Sequence, residues 1–169
     1  MKTISLRGKH GEGKVTLIDQ DDYLKFKDFN WWVIDKDSGR LYAIRSTGKY
    51  LNGVKQNKKY YLHREIMNVK SGEYVDHING NTLDNRKNNL RVCTNAENSR
   101  NSRGQTTNRK YSSFKGVKKN KNCSTWSARI TIDGKETYLG SFKTELEAAE
   151  KYNEAAIKYF KEFAKLNVL

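Results

Sequence analysis

The chain contains no proline, 12 glycines and two cysteines in 169 residues. That composition excludes collagen-like and linker-like architectures. Cys93 and Cys123 cannot build a four-cysteine zinc site, and no Cys-x-x-Cys pair exists. Both read as ordinary thiols of a reducing cytosol, either packed or exposed. No apolar run approaches the roughly 18 residues of a membrane span, so an integral membrane protein is excluded. The opening MKTISLRGKHGEGK has no apolar stretch of signal-peptide type. Acid is scarce beside base: 19 Asp/Glu against 33 Lys/Arg leave a formal charge of +14. Such a field attracts polyanions, of which nucleic acid is the commonest. An aromatic share of 11% argues against disorder throughout.

Charge divides the chain into three parts. Residues 1–99 carry 18 basic and 12 acidic side chains, and residues 111–169 carry 11 and 7. Between them Arg100, Arg103, Arg109 and Lys110 stand with no acid. The stretch SRNSRGQTTNRK is polar and lacks a large apolar residue, which is linker composition. Its cations make it a phosphate-binding tether. The expected organisation is a first domain over 1–102, a basic linker over 103–110 and a second domain over 111–165.

In the first part, residues 15–18, 31–34 and 41–44 read as strands, the last two parted by the turn cluster Asp37-Ser38-Gly39. An extended piece follows over 59–62 and a short helix over 62–69. Phe26, Phe29, Trp31 and Trp32 read as core. Then comes a short β-type run, Tyr74-Val75-Asp76-His77-Ile78, closed by the turn signal Asn79-Gly80-Asn81. Leu90-Arg91-Val92-Cys93 reads as the next strand. Thr94-Asn95-Ala96-Glu97 has capping-box spacing, so a helix starts at Thr94 and Asn98 lies one turn inside it.

This order of strand, long polar loop, strand and helix carries the parts that metal-dependent phosphodiester chemistry needs. A hard divalent cation takes carboxylate, amide, water and phosphate oxygens, and Asp76 and Asn98 can supply the protein's share. A base beside the attacking water is suited by a neutral imidazole at pH 7, which His77 offers. A regular strand would point Asp76 and His77 to opposite faces. Both serve one site only if the strand ends or twists there, as the Asn-Gly turn permits.

These residues resemble the HNH nuclease family, with its ββα-metal fold. The match runs through Val75-Asp76-His77-Ile78-Asn79-Gly80-Asn81, Asp84-Asn85, Asn88-Asn89-Leu90-Arg91 and Ala96-Glu97-Asn98. It is also similar to phage and intron HNH homing endonucleases, which often begin the module with a pair like His63-Arg64. The resemblance implies a ββα-metal core over about 63–102. It makes His77 the general base and Asp76 and Asn98 metal ligands. It makes Asn89 the residue that holds the loop and orients the base. An Asn rather than a His at 98 favours Mg2+ over zinc, with Mn2+ as an alternative. His63 reads as a support of the fold, with a metal role as the alternative.

In the last part, residues 113–119 can form a strand and 125–133 alternate cleanly. Trp126, Ala128, Ile130 and Ile132 share one face; Ser127, Arg129 and Thr131 share the other. Asp133-Gly134 signals a hairpin, and a third strand returns over 136–140. Thr144-Glu145-Leu146-Glu147 is a second capping box, opening a helix with the apolar stripe Ala149, Ala156, Phe160 and Phe163. One helix covers one face of a three-stranded sheet, so the other face stays solvated.

Residues 111 to about 160 resemble the plant ethylene-response-factor (Apetala-two) DNA-binding domain. The resemblance is carried by Phe114-Lys115-Gly116-Val117-Lys118, Trp126-Ser127-Ala128-Arg129-Ile130 and Tyr138-Leu139-Gly140-Ser141-Phe142. Glu147-Ala148-Ala149, Tyr152 and Ala155-Ala156 extend it. It implies a sheet laid in the DNA major groove, with Lys115, Lys118, Arg129, Thr131 and Tyr138 facing DNA; Lys119 is a further candidate for DNA contact. The family has Arg at 115 and 118, an acid at 129, a base-contacting Arg at 131 and often Arg at 136. Lysine lacks the bidentate fork that reads guanine, so more phosphate contact and less base readout are expected.

The fold expected is α+β, a β-rich scaffold and nuclease module followed by a small sheet packed on one helix. The function expected is a homing-type, metal-dependent endonuclease on double-stranded DNA that nicks one strand per active site. Arg100, Arg103, Arg109 and Lys110 add phosphate contacts. The chain needs no membrane and no obligatory protein partner and acts as a monomer or homodimer. The family pairing implies a phage-encoded protein in the cytoplasm of a bacterial host. The alternative is a DNA-binding regulator with an inactive nuclease module.

Overall fold

The computed structural model describes residues 1–36, 39–51, 54–101, 112–121 and 123–169. It divides into two compact units, Met1–Thr94 and Asn95–Leu169. Both mix helices with small antiparallel sheets, as the α+β reading requires. No described helix is long and apolar enough to cross a membrane.

In the first unit, β1 (Lys2–Ser5) pairs with β2 (Val15–Ile18), and α1 (Gln20–Phe26) follows. β3 (Trp32–Asp35), β4 (Leu41–Leu51) and β5 (Val54–Tyr61) form an antiparallel meander. The helix α2 (Leu62–Ile66) leads to a second hairpin, β6 (Tyr74–His77) with β7 (Leu90–Cys93), in which Asp76 faces Arg91 and His77 faces Leu90. The core gathers Ile4, Leu6, Ile18, Trp31, Ala43, Leu62, Ile66 and Leu90 from nearly every element. Trp31 is fully buried, stacks edge-on to Phe26 and donates its indole N–H to the Phe26 carbonyl at 2.9 Å.

Two of the four aromatics expected in the core lie outside it. Phe29 and Trp32 are 44% and 46% exposed. Neighbours in an extended segment point to opposite sides, so Trp31 and Trp32 cannot both face inward. The Phe29 ring instead carries the Arg45 guanidinium 4.4 Å from its centroid, a cation–π contact that suits a half-exposed ring.

In the second unit, α3 (Asn95–Arg100) precedes β8 (Val117–Lys119), β9 (Trp126–Ile132), β10 (Lys135–Phe142) and α4 (Glu145–Phe160). β9 is the central strand. Asp133 and Gly134 both have positive φ, 49° and 81°, the conformation a two-residue hairpin turn demands. The Thr144 capping box is formed in both directions. Ala128 and Ile130 are buried between the sheet and Ala148, Ala149, Tyr152 and Ala156 of α4. Gly116, at φ +76°, lies where a Cβ would come within 2.1 Å of the Tyr152 ring.

The boundary between units falls at Thr94, earlier than the expected 102, so α3 joins the second unit. Contacts of Arg100 account for this. Its guanidinium pairs with Asp133 at 3.0 Å and sits 5.2 Å from the Phe160 ring, while its carbonyl accepts the Lys115 ammonium at 2.8 Å.

Candidate active site

The site in the first unit is built on a polar interior. β6 ends at His77, whose carbonyl accepts the Gly80 N–H at 2.8 Å. The strand therefore stops at the point where Asp76 and His77 would otherwise keep alternating. Both side chains are buried, 7% and 4% exposed.

The loop between β6 and β7 is held by its own side chains. Asn89 uses its amide twice: Oδ1 accepts the Asn79 N–H at 2.9 Å and Nδ2 donates to the Asp84 carbonyl at 2.8 Å. Asp84 receives Arg86 through two bonds of 2.7 and 2.6 Å and the Asn79 amide at 3.0 Å. The Arg86 guanidinium holds the Asp84 carboxyl below the usual carboxylate range. Asn79 and Asn81 each accept a backbone N–H two residues on, the turn chemistry for which short amide side chains are suited. The Asn/Asp richness of the stretch is thus a set of bonds that replaces regular structure.

The N-terminal scaffold clamps this loop. Leu17 N–H donates to the Leu83 carbonyl at 2.8 Å, and Asn85 N–H donates to the Leu17 carbonyl at 2.9 Å. The Thr16 hydroxyl also donates to the Leu83 carbonyl, at 2.8 Å. β2 thereby pairs with the loop as a short parallel bridge at Leu17 and Asp84. Arg64 fixes the other approach, donating to the carbonyls of Glu73 and Lys70 at 2.6 and 2.9 Å.

Around His77 the structure gathers Asp76, His63, Tyr42 and Asn85. Asp76 Oδ2 accepts two bonds from Arg91, at 3.0 Å from Nε and 2.7 Å from Nη2. The His63 ring lies 5.1 Å from the His77 ring, with Tyr42 and Tyr61 5.6 and 5.5 Å from His63. Burial, with His77, Arg64 and Lys36 adding, pushes His63 down to about 3. It is a neutral packing neighbour of His77 at physiological pH. Burial also lowers the pKa of His77, against the pull of Asn85, Asp76 and Asp84. Neutral imidazole is the form a general base needs.

His77 Nε2 lies 3.2 Å from Asn85 Oδ1. Asn85 belongs to the Asp84-Asn85 pair of the motif, but the sequence gives it no role of its own among seven asparagines over 79–98. Both side-chain bonds of Asn89 go to the loop, and Asn85 is the asparagine that touches the ring. Only the burial of Asn85, at 1% exposure, singles it out.

The remaining expected residues belong to the second unit or lie outside the described residues. Asn98 is partly buried on α3. Lys118, Lys119, Arg129, Thr131 and Tyr138 are exposed on the sheet. Arg129 pairs with Glu136 and lies over the Tyr138 ring, so part of its charge is compensated. Lys115 is half-buried, and burial lowers its pKa to about 8. Arg100 is engaged with Asp133. Arg103, Arg109 and Lys110 lie outside the described residues.

Asp76 is a buried, oriented carboxylate. A carboxylate of this kind, completed by amide, water or phosphate oxygens, would give the all-oxygen donor set that suits a hard divalent cation. Among the described residues no group of three or more His, Cys, Asp and Glu converges as in an all-protein metal cage. Magnesium sites characteristically take few protein ligands and complete the shell with water and phosphate.

Comparison with known proteins agrees with this chemistry. Residues 60–100 match the HNH endonuclease family model. The chain is 36% identical over 115 residues to "Uncharacterized HNH endonuclease L560" of Acanthamoeba polyphaga mimivirus, covering 64% of this chain and 58% of that protein. It is 35% identical over 68 residues to "Protein 3.8" of Escherichia phage T7, covering 40% of this chain and 54% of that one. The chain thus spans little more than half the length of each relative. The matched residues 60–100 hold Asp76, His77, Asn85 and Asn89.

Proposed function

We propose that the protein is a metal-dependent DNA endonuclease of homing type, with the ββα-metal core at about 63–102 and target binding by the C-terminal domain. The observation that carries this reading is the burial of neutral His77 beside Asp76 on a strand end clamped by Asn89 and the scaffold. His77 takes a proton from a water molecule, whose oxygen attacks the phosphorus in line while the 3′ oxygen leaves. Asp76 and Asn98 would hold the cation, for which Mg2+ is proposed. Such an ion supplies Lewis-acid polarisation of the phosphate and offsets the charge that develops on it. Arg91 keeps the Asp76 carboxylate in one orientation. Asn89 keeps the loop closed under the base.

The second unit supports the binding half of the proposal. Its sheet leaves Lys118, Thr131 and Tyr138 on the face away from α4, while Lys119 lies over the Trp126 ring on the other side. A lysine on the outer face contacts phosphates and gives affinity with little base discrimination. One site cuts one strand per visit, so nicking is proposed. The double-stranded DNA substrate and the phage or viral setting in a bacterial cytoplasm follow from the same reading.

The test is incubation of supercoiled DNA carrying a target with Mg2+ or Mn2+, with and without chelator. Conversion to the nicked form that the chelator abolishes is expected. Binding without cleavage in every metal, identical for wild type and His77→Ala, would replace the enzyme by the DNA-binding regulator.

A further inference from the structure

The geometry points to Thr16 and Asn85 as positioning residues: through two consecutive hydrogen bonds they hold the His77 imidazole as its Nε2–H tautomer, which makes Nδ1 the basic nitrogen of the ring. The inference rests on the reading of His77 as the base and adds to it a determinant on β2, far away in sequence.

The chain of bonds starts at an atom that can only accept. The Leu83 carbonyl takes the Thr16 hydroxyl at 2.8 Å. A threonine hydroxyl has one hydrogen, so its oxygen is left to accept. The Asn85 amide sits 2.7 Å from that oxygen and presents its NH2 there. Its carbonyl oxygen therefore faces His77 Nε2, at 3.2 Å. An acceptor at that distance requires an N–H on Nε2, and a neutral imidazole carries one N–H. Turning the amide over would leave Thr16 with one hydrogen facing two carbonyl oxygens, Leu83 and Asn85. The chain is sealed from water, with Thr16 at 0% and Asn85 at 1% exposure, so solvent cannot exchange for either bond. Backbone pairing of Leu17 with Leu83 and Asn85 holds the register. The scaffold strand thus sets which imidazole nitrogen is basic. Its threonine carries no family motif and looks like an ordinary strand residue.

The test reads the tautomer directly. The full chain, with 15N-labelled histidine, has only three imidazoles to assign. Long-range 1H–15N correlation at pH 7.5 is expected to give His77 in the Nε2–H form. Thr16→Val, which keeps the shape and removes the hydroxyl, should mix the tautomers and lower kcat about 10- to 100-fold, the range for an outer-shell partner. KM for target DNA should stay within about twofold, since Thr16 touches no substrate. Thr16→Ser should restore both tautomer and rate. Wild-type His77 in the Nδ1–H form overturns the inference without any variant, as does Thr16→Val with an undisturbed Nε2–H signal. An Nε2–H signal in a wild type that cuts no DNA upholds the tautomer assignment and removes the nuclease reading instead.

Discussion

The two units fill their interiors with different chemistry. The first buries Thr16, Asp22, His63, Asp76, His77, Asp84, Asn85 and Asn89 alongside its apolar core. The second, among its described residues, buries two polar side chains, Asn101 and Ser127, and otherwise alanines, Val117, Ile130, Tyr152 and Phe160. A buried polar group loses free energy unless it is bonded, so a unit with eight of them among its described residues is organised by partners rather than by apolar volume. The second unit is organised by shape: small alanines on α4 let the helix approach the sheet closely. The difference teaches where each unit is fragile. Bonds are the weak point of the first, and volume is the weak point of the second.

The strongest challenge to that contrast is His77→Ala. If the polar interior exists for chemistry, kcat falls by about 10²–10⁴ while gel-shift affinity for DNA is retained, because the exposed sheet is untouched. Next, Arg91→Leu removes the guanidinium that donates twice to the buried Asp76 carboxylate. Breaking such a pair costs about 3–5 kcal/mol, seen as a lower denaturation midpoint in chelator. For the second unit the matching test is Gly116→Ala, where the added methyl meets the Tyr152 ring at 2.1 Å and the Arg129 carbonyl at 2.5 Å. Overpacking of this kind costs about 1–3 kcal/mol, and DNA affinity should fall with it. Loss of affinity without loss of stability would detach binding from this sheet.

Acid separates the units further. His63 is pushed down to about 3 in the folded chain, against roughly 6.5 when unfolded. The unfolded state binds the proton first, so stability is full above about pH 6.5 and declines toward about pH 3. Burial lowers the pKa of His77 as well, so its contribution has the same sign. The second unit holds no histidine. Its own signals should hold steady between pH 7 and 5 while the first unit's midpoint drops, and His63→Phe should remove part of that drop. The smallest expected effect is Thr144→Ala, about 1 kcal/mol from the lost cap of α4, measurable by thermal melting with His77 chemistry unchanged.

Legibility in the sequence follows the same division. The second unit was readable from periodicity, since Trp126, Ala128 and Ile130 do turn toward α4 and the Asp133-Gly134 turn and Thr144 box are formed. The short strands of the first unit were found, but β4 extends through polar residues with no apolar alternation to reveal it. α1 and β1 escaped notice because seven and four residues carry too weak a pattern. Asp76 and His77 stood out through their motif. Asn85 lies in the same motif without a legible role, because that role depends on Thr16, 69 residues away in the chain, and no local spacing encodes such a partner. The division of the structure at Thr94 is not legible in the sequence for a similar reason: only the fold brings Arg100 to Asp133 and Phe160.

The central claim is that His77 removes the proton from the attacking water. Single-turnover cleavage of a target duplex by His77→Ala, with DNA binding measured on the same samples and imidazole added to the buffer, addresses it most directly. The expected result is intact binding, a rate lowered at least a hundredfold, and partial recovery that grows with imidazole concentration. Cleavage by His77→Ala at the wild-type rate would contradict it.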